Sequence, residues 1–138
     1  MKESVGILII AKNTDRFLLL HRVNKPITWS MLSGKMDVEG ETPIETVRRE
    51  IGEEINIDPS EVKGITKIGT VSDKKLFHVF IGFLDDELDF NLDTSENDDY
   101  GWFTEETLPS PIHKRWEKTF QLIKPLLDLR SDFKRLSQ

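Results

Sequence analysis

Apolar residues fall in short, separated runs, and their periods predict strands at both ends of a central helix, with a second helix closing the chain. Residues 5–10 are a β-branched apolar run, and residues 17–20 (Phe, Leu, Leu, Leu) form a second beyond the polar Asn13, Thr14 and Asp15. This is the pattern of a β-hairpin. From 24 to 40 the chain carries Pro26, Trp29, Gly34 and Gly40 without a period, which predicts mostly loop. Thr42 and Pro43 then offer an N-cap and a first helical residue, and Glu45 completes a capping-box pattern. Ile44, Val47, Ile51 and Ile55 continue at helical spacing, so the helix is expected to bury a narrow stripe and to end near Asn56.

Residues 62–71 and 76–84 predict a second antiparallel pair around Ser72, Asp73 and Lys74. The acidic run 85–99 predicts an exposed loop with room for one edge strand, residues 100–103 a short strand, and Thr104, Glu105 and Glu106 a turn or short helix. Ile112, Trp116, Phe120, Ile123 and Leu127 recur as one face of a last helix, which Pro125 is expected to kink or interrupt. No repeat or linker divides the chain, so a single domain over 1–138 is expected.

Composition narrows the chemistry. The chain has 138 residues, 37% hydrophobic and 32% charged, which is ample for a core. It has no cysteine, so disulfides, thiolate metal sites and a Cys nucleophile are excluded, and any metal must be held by oxygen or His. No run approaches a membrane span or a signal peptide, and a cytoplasmic location is the expectation. The net charge of -6 speaks against a general nucleic-acid binder. An acidic protein that binds phosphates needs a cation between its carboxylates and the ligand.

The chemistry concentrates at residues 34–57. At ~100° per residue, Glu50, Glu53 and Glu54 share an arc of roughly 100°, and Glu54 lies beside the apolar stripe. Clustered, partly desolvated carboxylates repel one another unless neutralised, and hard divalent cations are their natural partners. Arg49, four residues before Glu53, is placed to orient it. Gly34 lets the preceding backbone come close to the same place.

Gly34, Glu41, Arg49, Glu50, Glu53 and Glu54 together resemble the Nudix signature, a loop, helix and loop of fixed Gly, Glu and Arg spacing. Two features depart from it. Six residues instead of five separate Gly34 from Glu41, with the extra one placed near Val38, and Leu32 and Ser33 stand where Pro and Gly are frequent. Asn56 replaces the Gly that ends the helix, and Asn tolerates a left-handed conformation best after Gly.

The resemblance implies an α/β fold, the family's α/β/α sandwich with a mixed β-sheet, and a hydrolase that cleaves a diphosphate linkage in a nucleotide derivative with Mg²⁺ or Mn²⁺. Glu53 and Glu54 would bind metal, Glu50 would bind metal or act as base, Arg49 would orient the glutamates and Glu41 would support them. Glu96, Asp98 and Asp99 are candidates outside the motif, with Glu96 the preferred accessory ligand. The partner would be a small-molecule nucleotide, and homodimers occur among similar proteins. Between 67 and 80 there is neither the Pro of some ADP-ribose-type members nor the Tyr of some dinucleoside-polyphosphate-type members.

Two other readings compete: a catalytically weak nucleotide-binding regulator, and an RNA-end pyrophosphohydrolase, which would call for a more basic channel. Trp29, Phe77, His78 and Trp102 are candidates to stack on a base, though core packing is the commoner role. His21, His78 and His113 read as structural or surface residues. Lys114, Arg115 and Lys118 read as the solvated face of the last helix.

Overall fold

The computed structural model describes residues 2–137; Met1 and Gln138, the ends of the expected 1–138 unit, lie outside them. Its strands are β1 (Glu3–Ala11), β2 (Phe17–Arg22), β3 (Trp29–Ser30), β4 (Leu32–Lys35), β5 (Lys63–Ser72), β6 (Leu76–Leu84) and β7 (Asn97–Phe103). Helix α1 runs over Pro43–Ile55 and α2 over Trp116–Leu136, with short 3₁₀ turns at Pro59–Glu61 and Glu105–Thr107. The sheet is mixed. Its main order is β3-β2-β1-β6-β5, with β4 also on β1 and β7 also on β2.

β1 sits at the centre, parallel to β6 over nine residue pairs and antiparallel to β4. Its run is apolar on consecutive residues because both faces are covered, as a central strand requires. Val5, Ile7 and Ile9 point to one core with Val47, Ile51 and Ile55 of α1; Leu8 and Ile10 point to the other with Trp116, Phe120 and Ile123 of α2. This is the expected α/β/α sandwich. Burying an Ile or Leu completely is worth roughly 1.5–3 kcal/mol, and β1 buries every residue from Ser4 to Ala11.

The hairpin of β1 and β2 forms, but its ladder is brief: Ile10 pairs with Phe17, after which β2 pairs with β7. Helix α1 starts as its caps require. Thr42 Oγ1 accepts from the Glu45 amide at 3.3 Å while Glu45 accepts from the Thr42 amide at 3.1 Å. It ends at Asn56, whose φ of 53° is left-handed and whose side chain donates to the Asn91 carbonyl. Ile44, expected in the buried stripe, is 36% exposed at its edge.

Several expectations need correction. Within 24–40, read as mostly loop, β3 and β4 are strands; β4 owes its order to pairing with β1 (Val5 with Gly34, Ile7 with Leu32), a non-local cause. The strand expected at 100–103 begins at Asn97, so Asp98 and Asp99 lie on β7 instead of in a loop. Ile112 is not on the last helix: it bridges Trp29, and α2 begins at Trp116. Pro125 lies inside α2, which remains helical through it. The carbonyl of Gln121, four residues earlier, is on an exposed residue and can be satisfied by water. Among the described residues no helix is long and apolar enough to cross a membrane.

Candidate functional site

The site is built where β4 packs against α1. Gly34, on β4, lies so close to the helix that a Cβ there would stand 2.1 Å from Cδ of Glu50 and 2.4 Å from its Oε1. The missing side chain leaves the space that the Glu50 carboxylate fills. The connection between β4 and α1 closes as a turn in which the Glu41 amide donates to the Val38 carbonyl at 3.2 Å, with Gly40 at φ 80°. Val38, the position assigned to the extra residue, is 46% exposed in that turn. Val38 is thus held at the surface, and Glu41 reaches back over the helix to Arg49.

Arg49 gathers the carboxylates. Its Nε donates to Glu41 Oε2 at 2.9 Å and its Nη2 to Glu41 Oε1 at 3.0 Å, a bidentate pair. Its Nη1 donates to Glu50 Oε1 at 3.0 Å and to Glu53 Oε2 at 3.1 Å, and Nη2 also reaches the Lys35 carbonyl at 3.3 Å. Hydrogen bonds from Arg49, then from Thr46, hold Glu41 below the usual carboxylate range. The Arg49 guanidinium is in turn raised, chiefly by Glu41. One arginine therefore fixes three glutamates.

Two carboxylates of this wall, Glu50 and Glu54, are pushed above the usual carboxylate range. Burial pushes Glu50 up to about 7, with Arg49 opposing and Glu53 adding repulsion. Glu54 is 7% exposed, and burial followed by repulsion from Glu50 pushes it up to about 8. Asn97, buried on β7, donates to Glu54 Oε1 at 3.3 Å. Glu54 Oε2 is buried with no hydrogen-bond partner among the described residues. An unpaired carboxylate oxygen in that position is costly unless a proton or a cation meets it.

These groups form one wall of a cavity of about 610 Å³, which Glu50, Glu53, Glu54, Asp37, Asp93 and Glu96 line together. Of the acidic candidates beyond the motif, Glu96 faces this cavity, and its charge contributes to raising Glu54. Asp98 instead meets His21 Nδ1 at 2.6 Å, and Asp99 Oδ1 accepts from the Tyr100 amide at 2.8 Å. Neither belongs to the lining.

Of the stacking candidates, Trp29 packs edge-on to Phe103, and Trp102 packs on Phe90 and donates to the Leu88 carbonyl. His78 is buried and meets Glu3 at 2.8 Å. Phe77 alone of the four lines the cavity, beneath Arg115. His113 is buried and His21 is hydrogen-bonded to Asp98, as structural histidines would be.

Arg115 is a correction: it is half-buried in the cavity lining instead of on a solvated helix face, while Lys114 and Lys118 are exposed. Sequence reasoning also missed Arg22, Asn97 and Asp93, which reach the site only through the pairing of β2 with β7 and the loop before β7. Only Arg22 has a local signal, a charge at the end of the apolar run of β2.

Among the described residues, no three His, Asp or Glu side chains are gathered closely enough to grip a metal ion unaided. The donor set nevertheless fits a hard divalent cation: all are carboxylate oxygens, they repel one another, and one buried oxygen is orphaned. Such a cation completes its shell with substrate phosphates and water.

The family model for the NUDIX domain matches residues 2–124. The chain is 39% identical over 59 residues to the dihydroneopterin triphosphate diphosphatase of Haemophilus influenzae, a match covering 43% of this chain and 37% of that protein. The structure of the E. coli dihydroneopterin triphosphate pyrophosphohydrolase superposes with a TM-score of 0.71 at 22% identity, covering 88% of this chain and 92% of that one. A C. elegans Ap4A hydrolase in a binary complex superposes with a TM-score of 0.75 at 21% identity, covering 93% of this chain and 98% of that one. At these identities the two structures share the fold.

Proposed function

The chain belongs to the NUDIX family, and from that premise we propose that it hydrolyses a diphosphate linkage in a nucleotide derivative, with Mg²⁺ or Mn²⁺ as cofactor. The observation that carries this reading is the wall of Glu50, Glu53 and Glu54 on one helix face, clamped by Arg49 and open to a cavity large enough for a nucleotide. Bound there, the metal would neutralise charge on the phosphate oxygens and on the carboxylates that hold it.

Glu53 and Glu54 are assigned as its ligands, with Glu50 as ligand or base and Glu96 as accessory. Arg49 acts as a positioning residue: it fixes Glu41, Glu50 and Glu53 through separate nitrogens and so sets the angle at which the helix presents its carboxylates. Glu50, raised to about 7, can accept a proton from water at ordinary pH, as a base requires. Asn97 holds the inner carboxylate of Glu54 from β7. The Haemophilus influenzae relative, named for a triphosphate substrate, places triphosphate esters in the substrate panel beside nucleotide sugars and dinucleotides.

The test is product release from that panel with Mg²⁺ or Mn²⁺ and with chelator. Glu53→Gln is expected to abolish turnover while leaving the thermal melt near wild type. Binding without turnover across the panel would favour a regulator instead.

A further inference from the structure

The cavity of the glutamates also carries charge of the opposite sign, and Arg22 lines a small pocket together with Glu54 and Glu96. Arg22, Lys25, Lys75 and Arg115 line the same cavity as Glu50, Glu53 and Glu54. Several basic residues of this chain sit on its surface in ion pairs, as Arg16 does with Glu87 and Lys134 with Asp15. Arg22 and Arg115 do not. Nε of Arg22 is buried without a hydrogen-bond partner among the described residues. Arg115 lies with its guanidinium 4.0 Å from the Phe77 ring centroid, and Asp73 acts on it only through space.

Local structure delivers both side chains to this place. The β2–β7 ladder shifts register between His21 and Arg22, and such an irregularity re-aims a side chain at the end of a strand. Arg115 is the residue immediately before α2, and stacking on Phe77 at the floor of the cavity fixes its plane. The two charges act on common neighbours. Burial first, then Arg115 and then Arg22, push His113 down to about 4, and Arg22 adds to the burial that lowers Arg115 itself. Two guanidinium groups that repel each other across a partly desolvated cavity are unfavourable unless an anion comes between them.

We infer that Arg22 and Arg115 form an anion subsite for the terminal phosphates of the substrate, which favours molecules ending in a free polyphosphate over diphosphates capped by a sugar on both sides. This rests on the hydrolase reading and names the substrate class. A terminal phosphate carries about two negative charges and three acceptor oxygens, and it suits forked, always-charged donors. A phosphate esterified on both sides offers about half that charge. The acidic and basic groups of one cavity then divide one substrate: the carboxylates, with the metal they would hold, face the linkage to be cut, and the guanidinium pair takes the end that leaves with the uncapped phosphates.

The experiment has a binding arm and a kinetic arm. Inorganic pyrophosphate is titrated calorimetrically into the whole protein at low salt with a chelator present. Wild type is expected to bind it, Arg22→Met and Arg115→Met to weaken binding by roughly tenfold or more each, and Arg115→Lys to restore part of the loss. Glu53→Gln is expected to bind pyrophosphate at least as tightly as wild type, since it removes a negative charge from the cavity, and this separates the subsite from the metal chemistry. In the kinetic arm, the arginine variants are expected to lose kcat/KM on a nucleoside triphosphate mainly through KM, with little change on a nucleotide sugar.

Pyrophosphate affinity unchanged in both arginine variants, or no binding by wild type, overturns the inference. So does an equal loss on capped and uncapped substrates in variants whose melts match wild type. If no panel member is hydrolysed, the hydrolase reading fails, and the titration still decides whether the subsite exists.

Discussion

Gly34 and Glu50 occupy each other's space: the position a Cβ would take on the strand residue lies 2.1 Å from the carboxyl carbon of the helix residue. The contact sets how closely α1 can approach β4, and it keeps Glu50 beside Arg49. Gly34→Ala is therefore expected to move the carboxylate more than the backbone, because the atoms in conflict are the far end of a flexible side chain. Turnover should fall by about tenfold or more, since ~1 Å of misplacement can cost up to 10²-fold. The melting temperature should change little. Steady-state kinetics beside a thermal melt check this, and wild-type kcat in the variant would remove Glu50 position from the account.

Arg49→Lys keeps the charge but loses the fork that reaches Glu41, Glu50 and Glu53 at once. The lysine variant is expected to lose activity nearly as fully as Arg49→Ala, with KM much less affected than kcat. A lysine variant with near-normal kcat would show that charge alone is what the glutamates need.

Stability should depend on pH and metal together. Glu50 and Glu54 are raised from 4.5 to about 7 and about 8, so the folded state binds more protons than the unfolded state across that interval. Their favourable contribution is complete below 4.5 and is lost as pH rises through the folded values. His113, lowered from 6.5 to about 4, acts in the opposite sense below 6.5, so the clean window lies between 6.5 and about 8. Without divalent cation the melting temperature is expected to fall across this window, and Mg²⁺ should lessen the fall. Glu54→Gln should flatten it even with chelator. Differential scanning calorimetry at several pH values reads all three outcomes, and a metal-free melt that rises through the window would contradict them.

Asn56 ends α1 in the left-handed region and donates to the Asn91 carbonyl. Asn56→Ala is expected to cost about 1–2 kcal/mol from the left-handed penalty, whereas Asn56→Gly should cost less. Denaturant titration separates them, and equal costs would locate the effect in the Asn91 contact instead of the backbone.

The features legible in the sequence are those with local causes. Thr42, Pro43, Glu45 and Asn56 mark the ends of α1 within a few residues of where they act, and the arc of Glu50, Glu53 and Glu54 follows from helical geometry. The two-sided burial of β1 is visible as an unbroken apolar run, though its parallel partner β6 is not. What escaped depends on distant pairing. β4, spelled Leu-Ser-Gly-Lys, has no alternation of its own and becomes a strand against β1. Arg22 and Arg115 come from separate elements, as does Asn97, and nothing near them in the chain says that the arginines share a cavity with α1 or that Asn97 meets Glu54. The longer spacing between Gly34 and Glu41 departs from the family pattern, and between them the chain makes an exposed turn at Val38 that leaves Glu41 on Arg49.

The most direct test of the central claim is product release from the nucleotide panel by wild type and Glu53→Gln, each with Mg²⁺ and with chelator. The account expects phosphate-containing products only from wild type with metal, with both proteins folded. Turnover that survives chelator, or that Glu53→Gln leaves intact, would contradict a metal-dependent hydrolase built on these glutamates.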